Sequence, residues 1–241
     1  MDVPRKVSCS PPGLQYLATV DQLLIHQQVE LVEVLTGFET ANKYAIKNTL
    51  GQPVYWAAEG SGCCARICCG SSRSFDMKLF DNFRNEILHL SRPFRCESCC
   101  FPCCLQAIEV ATPQGTPIGI VEQGWSLLRS WFRIRNAAGD TVLTINAPFC
   151  KSNCFGDVKF KISSSKGFEV GAILKQWSGL VREMYTSADH YSVVFPQNVN
   201  VEVKAIILAA VFLIDYMFFE KSGGVGDVAI GCCAALENCV N

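Results

Sequence analysis

The sequence predicts a mainly β protein, in which one antiparallel sheet closes into a barrel or a sandwich and a single hydrophobic helix follows. Five stretches between residues 42 and 175 repeat one pattern: alternating apolar and polar residues, a turn signal, and a second alternating run. A later stretch, residues 205–219, is apolar on almost every face. Alternation places one set of side chains on a core face, and a short turn joins antiparallel neighbours.

The five repeats are predicted hairpins. Their strands are 44–47 with 54–56, 75–79 with 86–88, 107–110 with 118–121, 132–135 with 142–145, and 158–162 with 170–173. Closure of a sheet of this size removes its exposed edges. No Gly/Ser-rich or Pro-rich linker interrupts the array, so residues 14–220 are predicted to form one domain. Residues 1–13 are expected to be a short disordered segment, and residues 221–241 a flexible tail that contains cysteines.

The hydrophobic stretch allows two interpretations, a bilayer span or a helix buried in protein. Its fifteen residues reach about 22 Å as a helix, whereas the hydrocarbon core of a bilayer is about 30 Å thick. Asp215 would cost roughly 2.5 to 3.5 kcal/mol near the bilayer centre. These magnitudes favour a helix enclosed by the barrel, where Asp215 needs a hydrogen-bonding partner. The core-forming residues of this helix are predicted to be Ala205, Ile206, Leu208, Phe212, Ile214, Asp215, Phe218 and Phe219.

Charge and cysteine content restrict the class of protein. Lys and Arg number 21 against 22 Asp and Glu, so the net charge is −1 and nucleic acid is not expected as the main partner. The 15 cysteines occur largely as adjacent pairs, and no apolar leader follows Met1. This pattern favours a reducing, cytosolic environment over a disulfide framework. His26, His89 and His190 show no ligand spacing, so structural or surface roles are expected for them.

The densest cysteine cluster is Cys96, Cys99, Cys100, Cys103 and Cys104, five cysteines within nine residues. S-acylation is one interpretation, because neighbouring apolar residues suit it and two or more acyl chains hold a protein firmly on a membrane. Zinc binding through the Cys-x-x-Cys spacings is a second. Small buried hydrophobic residues are the third. The spacing alone leaves all three open.

Three separated motifs resemble the phospholipid scramblase family: the run from Leu31 to Tyr44, the paired cysteines around Pro102, and the run from Ala205 to Glu220. The resemblance covers residues 13–220 and implies a tubby-like fold, a closed antiparallel β-barrel wrapped around one hydrophobic C-terminal helix. It also implies palmitoylation at Cys99, Cys100, Cys103 and Cys104, with Cys96 as a further candidate. The implied activity, which is not enzymatic, is ATP-independent, calcium-triggered movement of phospholipids between bilayer leaflets.

The resemblance also implies partners and a location. Membrane phospholipids are the expected partner, with protein partners and a homo-oligomer as further expectations. The expected location is the cytoplasmic face of the plasma membrane; if the helix spans, a short tail lies outside. The alternative function is a palmitoylated adaptor or signalling protein that binds lipids or proteins without moving lipids.

The family's calcium segment corresponds to residues 187–198, with Ser187, Asp189, Tyr191 and Asn198 as the candidate ligands. Calcium takes six to eight oxygen ligands, and carboxylates set the affinity. Asp189 is the one carboxylate in this segment, because Ser187 and Asn198 replace the family's acidic first and last positions. We therefore expect calcium binding to be millimolar, weaker still, or absent.

Overall fold

A closed antiparallel barrel of twelve strands surrounds one long helix, which confirms the predicted fold class. The structure, a computed structural model, describes residues 11, 13–28, 41–61, 73–95, 104–126, 129–148, 157–176 and 189–219. The elements are α1 (Gln15–Thr19), β1 (Gln22–Gln28), β2 (Lys43–Lys47), β3 (Pro53–Gly60), β4 (Phe75–Asp81), β5 (Glu86–Arg92), β6 (Ala107–Ala111), β7 (Pro117–Gly124), β8 (Trp131–Asn136), β9 (Thr141–Asn146), β10 (Val158–Ser164), β11 (Glu169–Gln176), β12 (His190–Val194) and α2 (Val201–Phe218).

The strands follow chain order around the barrel, and β1 closes it against β12. At this closing seam Leu23 is opposite Val193 and Ile25 is opposite Tyr191, all with buried side chains. All five predicted hairpins are present, as β2–β3, β4–β5, β6–β7, β8–β9 and β10–β11. Helix α1 and strands β1 and β12 lie outside the five predicted hairpins.

The five hairpins share one type of five-residue turn, in which the N–H of the first residue donates to the carbonyl oxygen of the fifth and the fourth residue has a positive φ. These turns are 48–52, 81–85, 112–116, 136–140 and 164–168, and each is followed by a register shift in its hairpin. This geometry is a three-residue hairpin loop with a bulge. The last loop residue, which is the fourth residue of the turn, must be left-handed. Glycine fills that position in four turns, and Arg84 fills it in the other, with φ 64°. We call this end of the barrel the turn end.

Helix α2 occupies the barrel interior, and every residue from Val203 to Tyr216 is buried. The Asn200 side chain caps it by accepting a hydrogen bond from the Val203 N–H (2.8 Å). This placement confirms the buried-helix interpretation. The single-pass interpretation is corrected: the apolar faces of α2 are covered by inward strand residues rather than by lipid. Among the described residues, no helix combines the length and apolarity that a bilayer crossing requires.

Helix α1 lies across the turn end and is attached to α2 by a buried lysine. Lys204 Nζ donates to the carbonyl oxygens of Leu17 (2.9 Å) and Val20 (2.5 Å). Leu14 and Leu17 are fully buried against the core. The turn end is therefore packed with apolar side chains. The predicted terminal segments, 1–13 and 221–241, lie outside the described residues apart from positions 11 and 13 and remain predictions.

Candidate functional site

The long connections of the chain all leave and re-enter the barrel at the end opposite the turns. The connections are those from β1 to β2, β3 to β4, β5 to β6, β7 to β8, β9 to β10 and β11 to β12, and α2 also ends here. We call this the connection end. Eleven of the 15 cysteines lie in three of these connections: β3–β4, β5–β6 and β9–β10. Strand topology thus places the described ends of all three cysteine-containing connections at one end of the barrel.

The base of the cysteine-rich β5–β6 connection is held together by hydrogen bonds. Arg95 Nη1 donates to the Leu105 carbonyl oxygen (2.5 Å), and Gln106 Nε2 donates to the carbonyl oxygens of Arg95 (3.3 Å) and Cys104 (3.1 Å). Gln106 Oε1 in turn accepts from Arg92 Nη2 (2.7 Å). Cys104 is half-buried; Cys96, Cys99, Cys100 and Cys103 lie outside the described residues. The two ends of the segment are therefore fixed side by side.

A buried ion pair lies beneath the connection end, beside the last turn of α2. Arg73 Nε donates to Glu59 Oε1 (2.7 Å), and both side chains are almost fully buried. The Tyr216 hydroxyl donates to Glu59 Oε2 (2.5 Å), as do the backbone and side-chain N–H groups of Asn42 (3.0 Å each). The Arg73 guanidinium also lies 4.9 Å from the centre of the Tyr216 ring. The arrangement satisfies a carboxylate that burial would otherwise penalise.

The surroundings of Glu59 determine its ionisation. Burial by itself raises the pKa of Glu59, but the hydrogen bond and charge of Arg73, with the hydroxyls of Ser61 and Tyr216, outweigh it and lower the pKa to about 2. Glu59 is therefore ionised at neutral pH.

Asp215, the carboxylate of the hydrophobic helix, has its partners on two neighbouring parts of the barrel. The Tyr44 hydroxyl donates to Oδ2 and the Tyr191 hydroxyl donates to Oδ1, each at 2.5 Å. Burial, followed by the charge of Asp215, raises the pKa of Tyr191 well above its ordinary value, so Tyr191 remains a donor. Two neutral donors thus satisfy the partner requirement that the sequence predicted.

Among the described calcium-ligand candidates, Asp189 and Tyr191 interact with each other and each also has another partner, whereas Asn198 lies beyond the other end of β12. Asp189 Oδ1 is paired with Lys175 Nζ at 2.8 Å, the Tyr191 hydroxyl points inward to Asp215, and Asn198 lies in a turn with φ 60°. Asp189 and Asn198 flank β12 at its two ends, and five extended residues span about 17 Å. Ser187 lies outside the described residues. Within the described part of the chain, no group of three or more His, Cys, Asp or Glu side chains converges on one point.

Two predicted surface histidines form a pair at the barrel seam. His26 on β1 and His190 on β12 are direct register partners, and their Nδ1 atoms lie 2.6 Å apart. Burial, then the charges of His190 and Lys47, lower the pKa of His26 below its usual value. The pair spans 164 residues of sequence, so spacing could not reveal it.

Two buried charged residues that the sequence analysis did not single out are indicated by the strand alternation. Glu59 continues the inward positions of Tyr55 and Ala57 on β3, and Arg92 continues those of Leu88 and Leu90 on β5. A charged residue at an inward position requires a buried partner. The alternation therefore identifies Glu59 and Arg92, although it cannot name Arg73 or Gln106 as their partners.

The predicted residues of the hydrophobic helix are placed as a group. Those from Ala205 to Asp215 are buried in α2, while Phe218 and Phe219 are partly buried where α2 ends. Both phenylalanines pack on Phe160 of β10, with ring centres 5.6 and 6.3 Å apart. The last turn of the helix is therefore held at the connection end by aromatic contacts.

The family model named Scramblase matches residues 1–221 of this chain. Phospholipid scramblase 1 of Mus musculus is 51% identical over 221 residues, which cover 91% of this chain and 67% of the mouse protein. Phospholipid scramblase 2 of Bos taurus is 51% identical over 215 residues, 89% of this chain and 73% of the relative. Phospholipid scramblase 4 of Homo sapiens is 37% identical over 225 residues, which cover 92% of this chain and 68% of the human protein. No solved structure matches this chain.

The chain belongs to the scramblase family. Membership confirms the resemblance found in the sequence, and the match extends from the N-terminal segment to the end of α2. The matched residues include three features described above: the Glu59–Arg73 ion pair, the hydrogen bonds of Asp215, and the hydrogen-bonded base of the β5–β6 connection. The chain spans about two thirds of the length of the mouse relative.

Proposed function

We propose that this chain is a phospholipid scramblase that acts on the cytoplasmic face of the plasma membrane and moves phospholipids in both directions without ATP. The observation that carries the proposal is 51% identity, over 91% of the chain, to a protein named phospholipid scramblase 1. The role is non-enzymatic, since no covalent bond of the lipid changes when it exchanges leaflets.

The site of action in this proposal is the bilayer surface next to the connection end. Helix α2 is enclosed by the barrel, and its residues Asp215 and Tyr216 are hydrogen-bonded to strand residues. The helix therefore forms the protein core and does not contact lipid in this proposal. Leaving the barrel would strip both hydroxyl partners from Asp215 and one from Glu59, at a cost of several kcal/mol. Lipid movement is therefore attributed to perturbation of the bilayer at this end.

A reconstitution assay tests the proposal. Vesicles carrying a headgroup-labelled phosphatidylcholine are treated with a membrane-impermeant reductant, in the absence of ATP. The proposal expects the bleached fraction to exceed the outer-leaflet share when the protein is present, and to equal that share in protein-free vesicles. Asp215→Asn keeps the side-chain volume at position 215 and removes its charge. The bleaching activity of this variant should fall only in proportion to the fraction of the protein that is folded. Bleaching that stops at the outer-leaflet share with folded wild-type protein would refute scrambling.

Palmitoylation of Cys99, Cys100, Cys103 and Cys104 is the proposed anchor, with Cys96 as a further acceptor. The clamped base at Gln106 supports this, because it presents the segment at the connection end. Two or more acyl chains hold a protein stably on a membrane, whereas one does so marginally.

Fractionation of two quadruple variants tests the anchor. Substitution of Cys99, Cys100, Cys103 and Cys104 by Ser should move the protein to the soluble fraction. The matched variant, with Cys63, Cys64, Cys68 and Cys69 changed to Ser, carries the same number of Cys-to-Ser substitutions in the β3–β4 connection and should stay bound. Equal membrane retention of both variants would contradict the anchor.

Calcium binding is proposed to be millimolar, weaker still, or absent. Two contacts support this. The Asp189 carboxylate is paired with Lys175, and the Tyr191 hydroxyl donates to Asp215, so a calcium ion would have to displace each of these partners. Calorimetric titration of the full chain with calcium checks it, and micromolar binding would contradict it.

The second candidate function is an acylated adaptor that binds lipids or proteins without moving lipids. The enclosure of α2 favours it, since that helix offers headgroups no path across hydrocarbon. In the same vesicles, an adaptor binds firmly and leaves the bleached fraction at the outer-leaflet share. Binding and bleaching measured on one sample therefore separate the two functions.

A further inference from the structure

We infer that an aromatic–arginine arc on the β5–β8 side of the connection end docks on an anionic bilayer surface. The arc consists of Phe94, Arg95, Trp125, Arg129, Trp131 and Arg133. The inference rests on the proposed membrane function and deepens it, because it names the surface that faces the lipid and the lipid charge that it prefers.

Trp125 and Trp131 form the centre of the arc, at the adjoining ends of β7 and β8. Trp125 is 56% exposed, and its carbonyl oxygen accepts a hydrogen bond from Trp131 Nε1 at 3.2 Å. Trp131 lies against Gly124, where an added Cβ would be only 2.0 Å from the indole ring. The Arg133 guanidinium lies 5.2 Å from the centre of the Trp131 ring. One indole is thus fixed by packing while its neighbour extends into solvent.

Phe94 connects this centre to the cysteine-rich connection. It is 39% exposed and follows β5, two strands from β7, so about 10 Å separates its strand from that of Trp125. The next residue, Arg95, is part of the clamped base of the β5–β6 connection. The described base of the β5–β6 connection and the arc therefore lie at the same end of the barrel.

The charge of the arc has one sign. Its described stretches, 93–95, 104–106, 123–126 and 129–133, contain three arginines and no Asp or Glu, and the nearest carboxylate on β7, Glu122 opposite Arg133, is paired with Arg135 at 3.1 Å. Arg129 and Arg133 are exposed, and Arg95 is half-buried. Trp and Tyr are the residues enriched at membrane–water interfaces. Each cation near an anionic leaflet strengthens binding about fivefold.

The turn end also exposes apolar side chains, but its charges do not suit an anionic surface. Leu50, Phe83 and Phe168 are at least 70% exposed at three turn tips. Asp81 and Glu169 are close in sequence to the two phenylalanines, so these tips carry carboxylates among their cations. The turn end therefore points away from the bilayer in this orientation.

Vesicle binding by the full, non-acylated chain tests the orientation. Wild type is sedimented with vesicles of phosphatidylcholine alone and with vesicles that also contain one fifth phosphatidylserine. We expect tighter binding to the anionic vesicles, and a loss of about tenfold for Trp125→Ala. Phe83→Ala, the matched control at the turn end, should bind as wild type does, and the denaturation midpoint shows that each variant is folded.

Three outcomes would overturn the inference: equal binding to both vesicle types, an unchanged affinity for folded Trp125→Ala, or an equal loss for Phe83→Ala. A concentration-dependent dimer that Trp125→Ala dissociates, without vesicle binding, would assign the arc to a second copy and would also overturn it. Binding is measured without lipid movement. Failure of the bleaching assay with intact binding therefore refutes scrambling and leaves the docking surface standing.

Discussion

Asp215 and Glu59 show how single carboxylates are kept inside an apolar barrel. Asp215 uses two tyrosine hydroxyls, which are neutral, whereas Glu59 uses the guanidinium of Arg73. Removal of one partner of a buried ion pair leaves an uncompensated charge, which costs about 3 to 5 kcal/mol. The two sites therefore differ in how they respond to substitution and to pH.

Glu59→Gln should lower the free energy of unfolding by about 3 to 5 kcal/mol, because Arg73 stays buried without a counter-charge. Urea denaturation at pH 7 measures this. Glu169→Gln removes an exposed carboxylate paired with Lys159 and should leave the curve unchanged. Equal curves for wild type and Glu59→Gln would contradict the ion pair.

The lowered pKa of Glu59 also predicts a pH dependence. The folded-state pKa of about 2 is below the model-peptide value of 4.5, so the stabilisation is complete above pH 4.5 and is lost as the pH falls towards 2. The loss should be about 3 kcal/mol. Denaturation of wild type between pH 5 and 2 should show this slope, and Glu59→Gln should show less of it; identical slopes would refute the assignment.

At the level of elements, the repeated five-residue turn explains why the hairpins could be predicted. Four of the five turns begin with a residue, such as Asn48 or Asp81, whose side chain accepts backbone N–H hydrogen bonds within the turn. Strands β1 and β12 lack such a turn between them and pair across the closing seam, so local pattern could not reveal them. Glycine and polar turn residues are visible in sequence, whereas long-range register is not.

Arg84 is the exception in the turn series, so Arg84→Gly should stabilise the protein. Arg84 has φ 64°, a left-handed conformation that costs a non-glycine residue roughly 1 kcal/mol. Thermal denaturation should show an increase in midpoint. The reverse change at an equivalent position, Gly51→Arg, should lower it. A lower midpoint for Arg84→Gly would contradict the turn geometry.

The histidine pair at the seam predicts a second pH window. The folded-state pKa of His26 is lowered, so neutral His26 contributes full stability above about pH 6.5 and this contribution is lost as the pH falls below that value. The charged groups acting on His26 are His190 on β12 and Lys47 on β2. Wild type should lose stability between pH 7 and 5, and His26→Gln should lose less.

His89→Gln is the matched control for the seam. It removes a histidine on β5, at a distance from β1 and β12, and leaves the His26–His190 pair intact, so the difference between the wild-type and His26→Gln slopes should persist in its presence. A flat profile for wild type between pH 7 and 5, or the same slope in His26→Gln, would show that the pair does not couple to folding.

For the whole molecule, periodicity predicted an antiparallel sheet closed into a barrel or a sandwich, and the family resemblance implied a barrel wrapped around the hydrophobic helix. Length and one charge, Asp215, favoured burial of that helix over a bilayer span. The partners of Asp215 could not be predicted. Tyr44 is 171 residues away in sequence and contacts Asp215 only because β2 directs its side chain into the barrel. The aromatic–arginine arc likewise depends on which strands are neighbours. The proposed membrane orientation follows from that topology.

The central claim is that α2 forms the core of the barrel, and Phe212→Ala tests it most directly. Phe212 is fully buried in the middle of α2 and lies 4.9 Å, ring centre to ring centre, from Tyr44 on β2. In lipid-free buffer, urea denaturation should show a loss of about 3 to 5 kcal/mol relative to wild type. An unchanged unfolding curve for the lipid-free variant would contradict the claim, because it would show that the barrel folds without α2 inside it.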